Sequence, residues 1–193
     1  MFKKRLQYFN HLWYDLVSIV KSKKRGVYNM AQAKLKPDLE SLANDILVKN
    51  DMLKIPVDLI KIASNNNIDV YYQDLDDNIS GAIRYNSQLE KFQILLQKKD
   101  SERRRRFTLA HELGHFFLDS EKLKQDDLHI DYLYRQVGYT NEKDIDYFAG
   151  ALLMDKELLE KLFAVNPFIK DLADTFEVSE SAMTVRLNVL GLI

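Results

Sequence analysis

The sequence predicts an α+β fold, and three observations lead to it. Helical apolar spacing comes first, a short stretch of strand-like alternation follows, and helical spacing returns from Ser101 to the C-terminus. Apolar residues make up 46% of the 193-residue chain and charged residues 30%, a globular composition that excludes wholesale disorder and fibrous classes. That length suits one ordinary domain with an appendage.

The elements follow in order. Pro37 opens a helical pattern through Leu39, Leu42, Ile46 and Leu47. Pro56 opens a second through Val57, Leu59, Ile60 and Ala63, stopped by Asn65-Asn66-Asn67. The β-branched and aromatic runs Ile68–Tyr72, Ile79–Tyr85 and Phe92–Gln97 are separated by Asp/Asn/Gly/Ser-rich turns and read as three short antiparallel strands. Helices are expected over about 102–118, 141–153, 155–164, 168–176 and 179–190, with an acidic irregular loop over 119–140. The expected organisation is a basic extension over 1–36, a main domain over 37–166 and a helix-turn-helix-like pair over 167–193.

Lys plus Arg number 28 and Asp plus Glu 29, a net charge of −1, so nucleic-acid or membrane binding would need a local patch. The absence of cysteine removes disulfide scaffolds, thiolate metal sites and cysteine nucleophiles. No run approaches the roughly 18 apolar residues of a membrane span. The basic start Phe2-Lys3-Lys4-Arg5 resembles a signal peptide, but Asn10, His11 and Asp15 interrupt the apolar stretch and Lys21-Ser22-Lys23-Lys24-Arg25 follows where it should continue. A cytoplasmic protein is the expectation. Leu6, Phe9, Trp13, Leu16 and Val20 allow an amphipathic helix in this segment, read as packed on the body or as a loose extension before Met30 rather than as a membrane anchor.

The chemistry centres on His111-Glu112-Leu113-Gly114-His115. On a helix, positions i and i+4 share a face, so both imidazoles can grip one ion, and zinc suits neutral nitrogen ligands. Glu112 between them can take a proton from a water at that ion. Between Phe107 and Leu118 the only residues that are neither apolar nor glycine are Thr108, His111, Glu112 and His115, all within about 100° of one another on the wheel. An ordinary solvent face would be built of Lys, Glu, Gln and Arg instead. A third protein ligand must come from Asp126, Asp127, His129, Asp131, Glu142 or Asp146. Glu142 is favoured because it edges the apolar stripe Ile145, Phe148, Ala149, Leu152 and Leu153, where an unpaired carboxylate is costly. Asp146 could accept the outer N–H of a ligand histidine. His129 is the rival ligand.

The run Arg106-Phe107-Thr108-Leu109-Ala110-His111-Glu112-Leu113-Gly114-His115, then Glu142 and Phe148-Ala149-Gly150-Ala151-Leu152-Leu153-Met154, resembles the ImmA/IrrE family of zinc metallopeptidases over about residues 38–193. The resemblance implies a zincin-like core with one zinc ion on His111, His115 and Glu142, and Glu112 as general base. The family often has Asn at the position of Asp146 and Pro at that of Asp155. It also implies a protein substrate, a helix-turn-helix repressor encoded nearby or an antitoxin-like partner.

Two segments invite other functions. Leu172 to Leu187 has helix-turn-helix spacing, yet residues 168–193 contain only Lys170 and Arg186 against Asp171, Asp174, Glu177 and Glu180, a balance that repels phosphates. Packing or substrate docking is the favoured role, and direct DNA binding is not expected. Arg103-Arg104-Arg105-Arg106 precedes the motif helix, where positive charge opposes the macrodipole, and no structural reason for it is evident in the sequence. An extended substrate could pair with strand Phe92–Gln97, and Tyr132, Tyr134 and Tyr139 are candidates to stabilise an oxyanion. The competing reading is a non-catalytic regulatory or toxin–antitoxin module with a structural metal.

Overall fold

The computed structural model describes residues 39–124 and 140–193. The extension before Leu39, the candidates Asp126, Asp127, His129 and Asp131, and the three tyrosines of the 119–140 segment lie outside them. The elements are α1 (Leu39–Lys49), α2 (Leu59–Asn65), β1 (Ile68–Gln73), β2 (Gly81–Asn86), β3 (Lys91–Gln97), α3 (Glu102–Leu123), α4 (Glu142–Leu153), α5 (Lys156–Val165), α6 (Ile169–Phe176) and α7 (Glu180–Val189). This is an α+β chain with seven helices and one small sheet among the described residues.

The sheet corrects the expectation of an all-antiparallel arrangement. Its order is β1-β3-β2, with β2 antiparallel to β3 but β1 parallel to β3, in the register Ile68 opposite Phe92 and Gly81 opposite Leu96. A central β3 must be apolar on more than alternate positions, and Phe92-Gln93-Ile94-Leu95-Leu96-Gln97 is that kind of run. Even its glutamines are buried: Gln97 hydrogen-bonds the backbone of Leu75 and Gln93 accepts from Arg84. Tyr71 and Tyr72 of β1 are exposed, as an edge strand allows. With both sides of β3 paired, no substrate can add to it, and among the described residues the sheet's edge strands are β1 and β2.

Helix α3 begins where its sequence says it should: the Ser101 hydroxyl accepts from the Arg104 N–H, and Glu102 occupies the first turn. It runs one turn past the expected end, to Leu123, because Leu123 is fully buried. Its apolar side meets the sheet, with Phe116 edge-on to Phe92 at 5.0 Å between centroids. Its other flank meets α4, and α1 packs on the far side of α4. Gly114 makes the α3–α4 approach possible: a Cβ there would stand 3.0 Å from Ile145 Cγ2 and 3.1 Å from Phe148 Cδ1.

The four arginines acquire a structural account. Arg103 pairs with Asp174 of α6 at 2.6 Å. Arg104 donates to the Ser80 hydroxyl, and Arg105 to the Lys98 and Asp100 carbonyls beneath the Tyr72 ring. Arg106 donates to the Val57 carbonyl and faces Glu177. The run ties the start of α3 to the chain before α2, to the end of the sheet and to the C-terminal helices, which compensates for its opposition to the helix dipole.

Candidate metal centre

The two rings of the motif lie one turn apart on α3, with Nε2 of His111 and Nε2 of His115 3.1 Å apart. Glu142, at the first position of α4, brings its Oε2 to 3.2 Å from the His111 Nε2 and 3.7 Å from the His115 Nε2. Asn141 sets that position by accepting from the Lys143 N–H as the helix cap. Tetrahedral bonds of about 2.0–2.1 Å place ligand atoms roughly 3.3–3.4 Å apart, which the three separations bracket. Two imidazole nitrogens and a carboxylate oxygen are a donor set for zinc. The second Glu142 oxygen is buried and has no hydrogen-bond partner among the described residues, which also fits a metal beside it. These residues fit the ion. Of the two acidic candidates among the described residues, Glu142 and Asp146, it is Glu142 whose oxygen meets both rings.

Asp146, one turn along α4, stands 2.9 Å from the His111 Nδ1. If Nε2 is to be a ligand, Nδ1 must carry the hydrogen, and Asp146 is placed to accept it. Glu112 is wholly buried between the histidines, under the start of β2. Gly81 permits this: a Cβ there would come within 2.4 Å of Thr108 Cγ2 and 3.2 Å of Glu112 Oε1. Gly81→Ala is expected to push β2 off α3, at a cost of about 1–3 kcal/mol in stability, and, if Glu112 is the general base, a tenfold to hundredfold loss in peptide hydrolysis (order of magnitude). Chemical denaturation and steady-state rates measure the two. A variant with wild-type values for both would remove Gly81 from the site.

Sequence reasoning missed Asp119. It is buried one turn beyond His115, accepts the Thr140 N–H at 3.0 Å and the Lys122 ammonium at 2.9 Å, and so fixes the backbone just ahead of the Glu142 turn. The continued spacing 111, 115, 119 was its only signal.

Without an ion, burial works against a charged His111, but hydrogen bonds to Asp146 and Glu142 prevail and raise its pKa from 6.5 to about 10. Hydrogen bonds from His111 and His115 lower the Glu142 pKa from 4.5 to about 2. The stability from the raised histidine is full below 6.5 and fades as pH climbs through about 10. That from the depressed carboxylate is full above 4.5 and fades as pH falls through about 2. Chelator-treated protein is therefore expected to melt progressively lower from pH 7 to 10. Zinc uptake at pH 7 should release about one proton from His111, read by calorimetry in buffers of different ionisation enthalpy. Uptake with no proton released would show that His111 is already neutral at pH 7 or does not become a ligand.

A cleft of about 1050 Å3 opens beside this centre, between α3, α4 and α7. His111, Glu112 and Asp146 stand in its wall with Thr108 and Tyr147. No described helix is long and apolar enough to cross a membrane.

No curated protein matches the chain. Among solved structures, a Mycobacterium tuberculosis transcriptional regulator shares the fold, with a TM-score of 0.55 and 18% identity over 78% of this chain. This chain spans only 46% of that protein's length. The model of the Peptidase_M78 family, described as an IrrE N-terminal-like domain, matches residues 63–188, a span that holds the histidine motif, Glu142 and the C-terminal helices. With residues 63–188 of its 193 matched, well over half its length, the chain belongs to this family of metallopeptidases.

Proposed function

We propose that the chain is a zinc-dependent endopeptidase that acts in the cytoplasm on a helix-turn-helix repressor or antitoxin-like protein. The observation that supports it best is the convergence of three donor atoms on one point with a buried carboxylate, Glu112, on the same helix between the two rings. His111, His115 and Glu142 are the ligands in this reading. When bound, zinc supplies Lewis acidity and brings the pKa of a water at the site to about 7. Glu112 takes the proton of the attacking water and passes it to the leaving amine. Asp146 holds His111 in the tautomer whose Nε2 lone pair is free. The open edge nearest Glu112 is that of β2, so an extended substrate pairs there rather than along Phe92–Gln97.

The helix-turn-helix-like pair is not a DNA reader in this account. The Arg186 side chain is buried in an ion pair and Lys170 is engaged by Asp174, so neither basic residue of the segment faces a phosphate freely. Zinc-loaded protein incubated with a helix-turn-helix repressor encoded beside it should cut that repressor, and a chelator should stop the cut. A repressor left whole under both conditions, with the zinc bound, would overturn the substrate assignment.

A further inference from the structure

The C-terminal helix pair has no part in the chemistry above, yet α7 forms the wall of the cleft opposite the histidines. Its Met183, Arg186 and Leu187 turn into the body. Its other side offers Ala182, Val185 and Val189 to the cleft, and Val185 is 63% and Val189 51% exposed. Phe107 of α3 and Met154 after α4 line the same cleft, so apolar surface continues from α7 to the helix that bears the histidines. A face that read DNA would be lined with Arg, Lys, Asn or Gln. This one presents Ala182, Val185 and Val189 along the cleft, with Ser179, Glu180 and Ser181 at its N-terminal end, and shares the cleft with the candidate centre.

We infer that α7 is the specificity wall of the peptidase: it selects a polypeptide segment with a bulky branched or aromatic apolar side chain within a few residues of the scissile bond. The inference rests on the metallopeptidase reading and names its substrate class. The occupant is the substrate because the valines and the candidate centre share one cleft, so whatever fills one part borders the other. At about 1050 Å3 the cleft is at the top of the roughly 300–1,000 Å3 range of small-molecule pockets, room for several residues of peptide. The charged lining is mixed in sign, with Arg103, Arg104 and Lys143 against Asp146 and Glu180, and Arg103 is already paired with Asp174, which leaves apolar contact as the main discriminator. An apolar pocket of this kind separates substrates differing by a methylene about tenfold to two-hundredfold.

The probes are hydroxamates, whose head group chelates a zinc centre. Acetohydroxamate has no side chain and reports on the centre alone. Trileucine and triserine hydroxamates compare apolar with polar side chains, in two versions with the head group at the C-terminus or the N-terminus to sample both directions along the cleft. On zinc-loaded full chain, at least one trileucine probe should bind ten times more tightly than its triserine counterpart, or better. Val185→Asp with Val189→Asp, both at exposed positions and so compatible with folding, should retain stoichiometric zinc while that preference falls to within about twofold, the full loss of the apolar discrimination. A trileucine-to-triserine ratio near one in the wild type, or one unaffected by the two substitutions, overturns the inference. Failure of the wild type to take up zinc or bind acetohydroxamate overturns the metal centre itself, which separates the two claims.

Discussion

Glu112→Gln should leave the protein folded and stoichiometric in zinc while slowing peptide hydrolysis by about 10²- to 10⁴-fold, the usual contribution of a positioned general base. The substitution keeps the shape of the side chain and removes only its ability to take a proton. It also leaves Gly81 and Thr108, which pack on that side chain, with the same volume to fill. In the proposed reading metal uptake should be preserved, because the donor atoms assigned there belong to His111, His115 and Glu142. The discriminating measurement is a single-turnover rate beside a zinc titration. Loss of zinc with loss of rate would mean that Glu112 shapes the centre, and an unchanged rate would mean that another group is the base. The non-catalytic alternative predicts that biological output survives this substitution and fails only when the partner surface is altered.

The core of this site was legible because it obeys local rules. The i, i+4 spacing of His111 and His115 needs nothing but a helix, and Glu142 declared itself as an acid edging the stripe Ile145, Phe148, Ala149, Leu152 and Leu153. Gly114, whose bare Cα lets α4 approach α3, was read only as part of the motif. The sheet was legible in its strands but not in its pairing. Parallel contact between β1 and β3 joins residues 24 positions apart, Ile68 with Phe92, and nothing in the alternation of either strand specifies it. The apolar run in β3 was the available signal, since a strand buried on both sides cannot alternate. The arginine run defeated sequence reasoning for the same reason: Asp174, Glu177, Ser80 and Val57, which receive it, come from three separate parts of the chain.

Arg186 shows the consequence for stability. Counted from the sequence, it is one of two positive charges in the last helices and a candidate for phosphate. Folded, it is 3% exposed and forks onto Glu40 of α1, Nη1 to Oε2 at 3.0 Å and Nη2 to Oε1 at 2.6 Å. Its Nε and Nη2 also donate to the Met154 carbonyl after α4, and the Tyr147 hydroxyl completes the Glu40 carboxylate at 3.0 Å. One guanidinium thus holds α1, the end of α4 and α7 together. Arg186→Ala leaves a carboxylate and a carbonyl with lost partners in a poorly solvated place, at an expected cost of about 3–5 kcal/mol. For a chain of this size that is a fall of roughly 6–20 °C in Tm. Arg186→Lys should recover only part, because an ammonium cannot reproduce the fork. Replacing both partners, Arg186→Met with Glu40→Leu, should recover more than either single change, since the penalty arises from the orphaned charge rather than from the loss of attraction. Zinc stoichiometry should persist throughout, since the proposed donors are on α3 and the first turn of α4. A single Arg186→Ala protein melting within a degree or two of the wild type would show that the C-terminal helices are held by their apolar residues Met183 and Leu187 alone, and that the buried pair contributes specificity of packing without net stability.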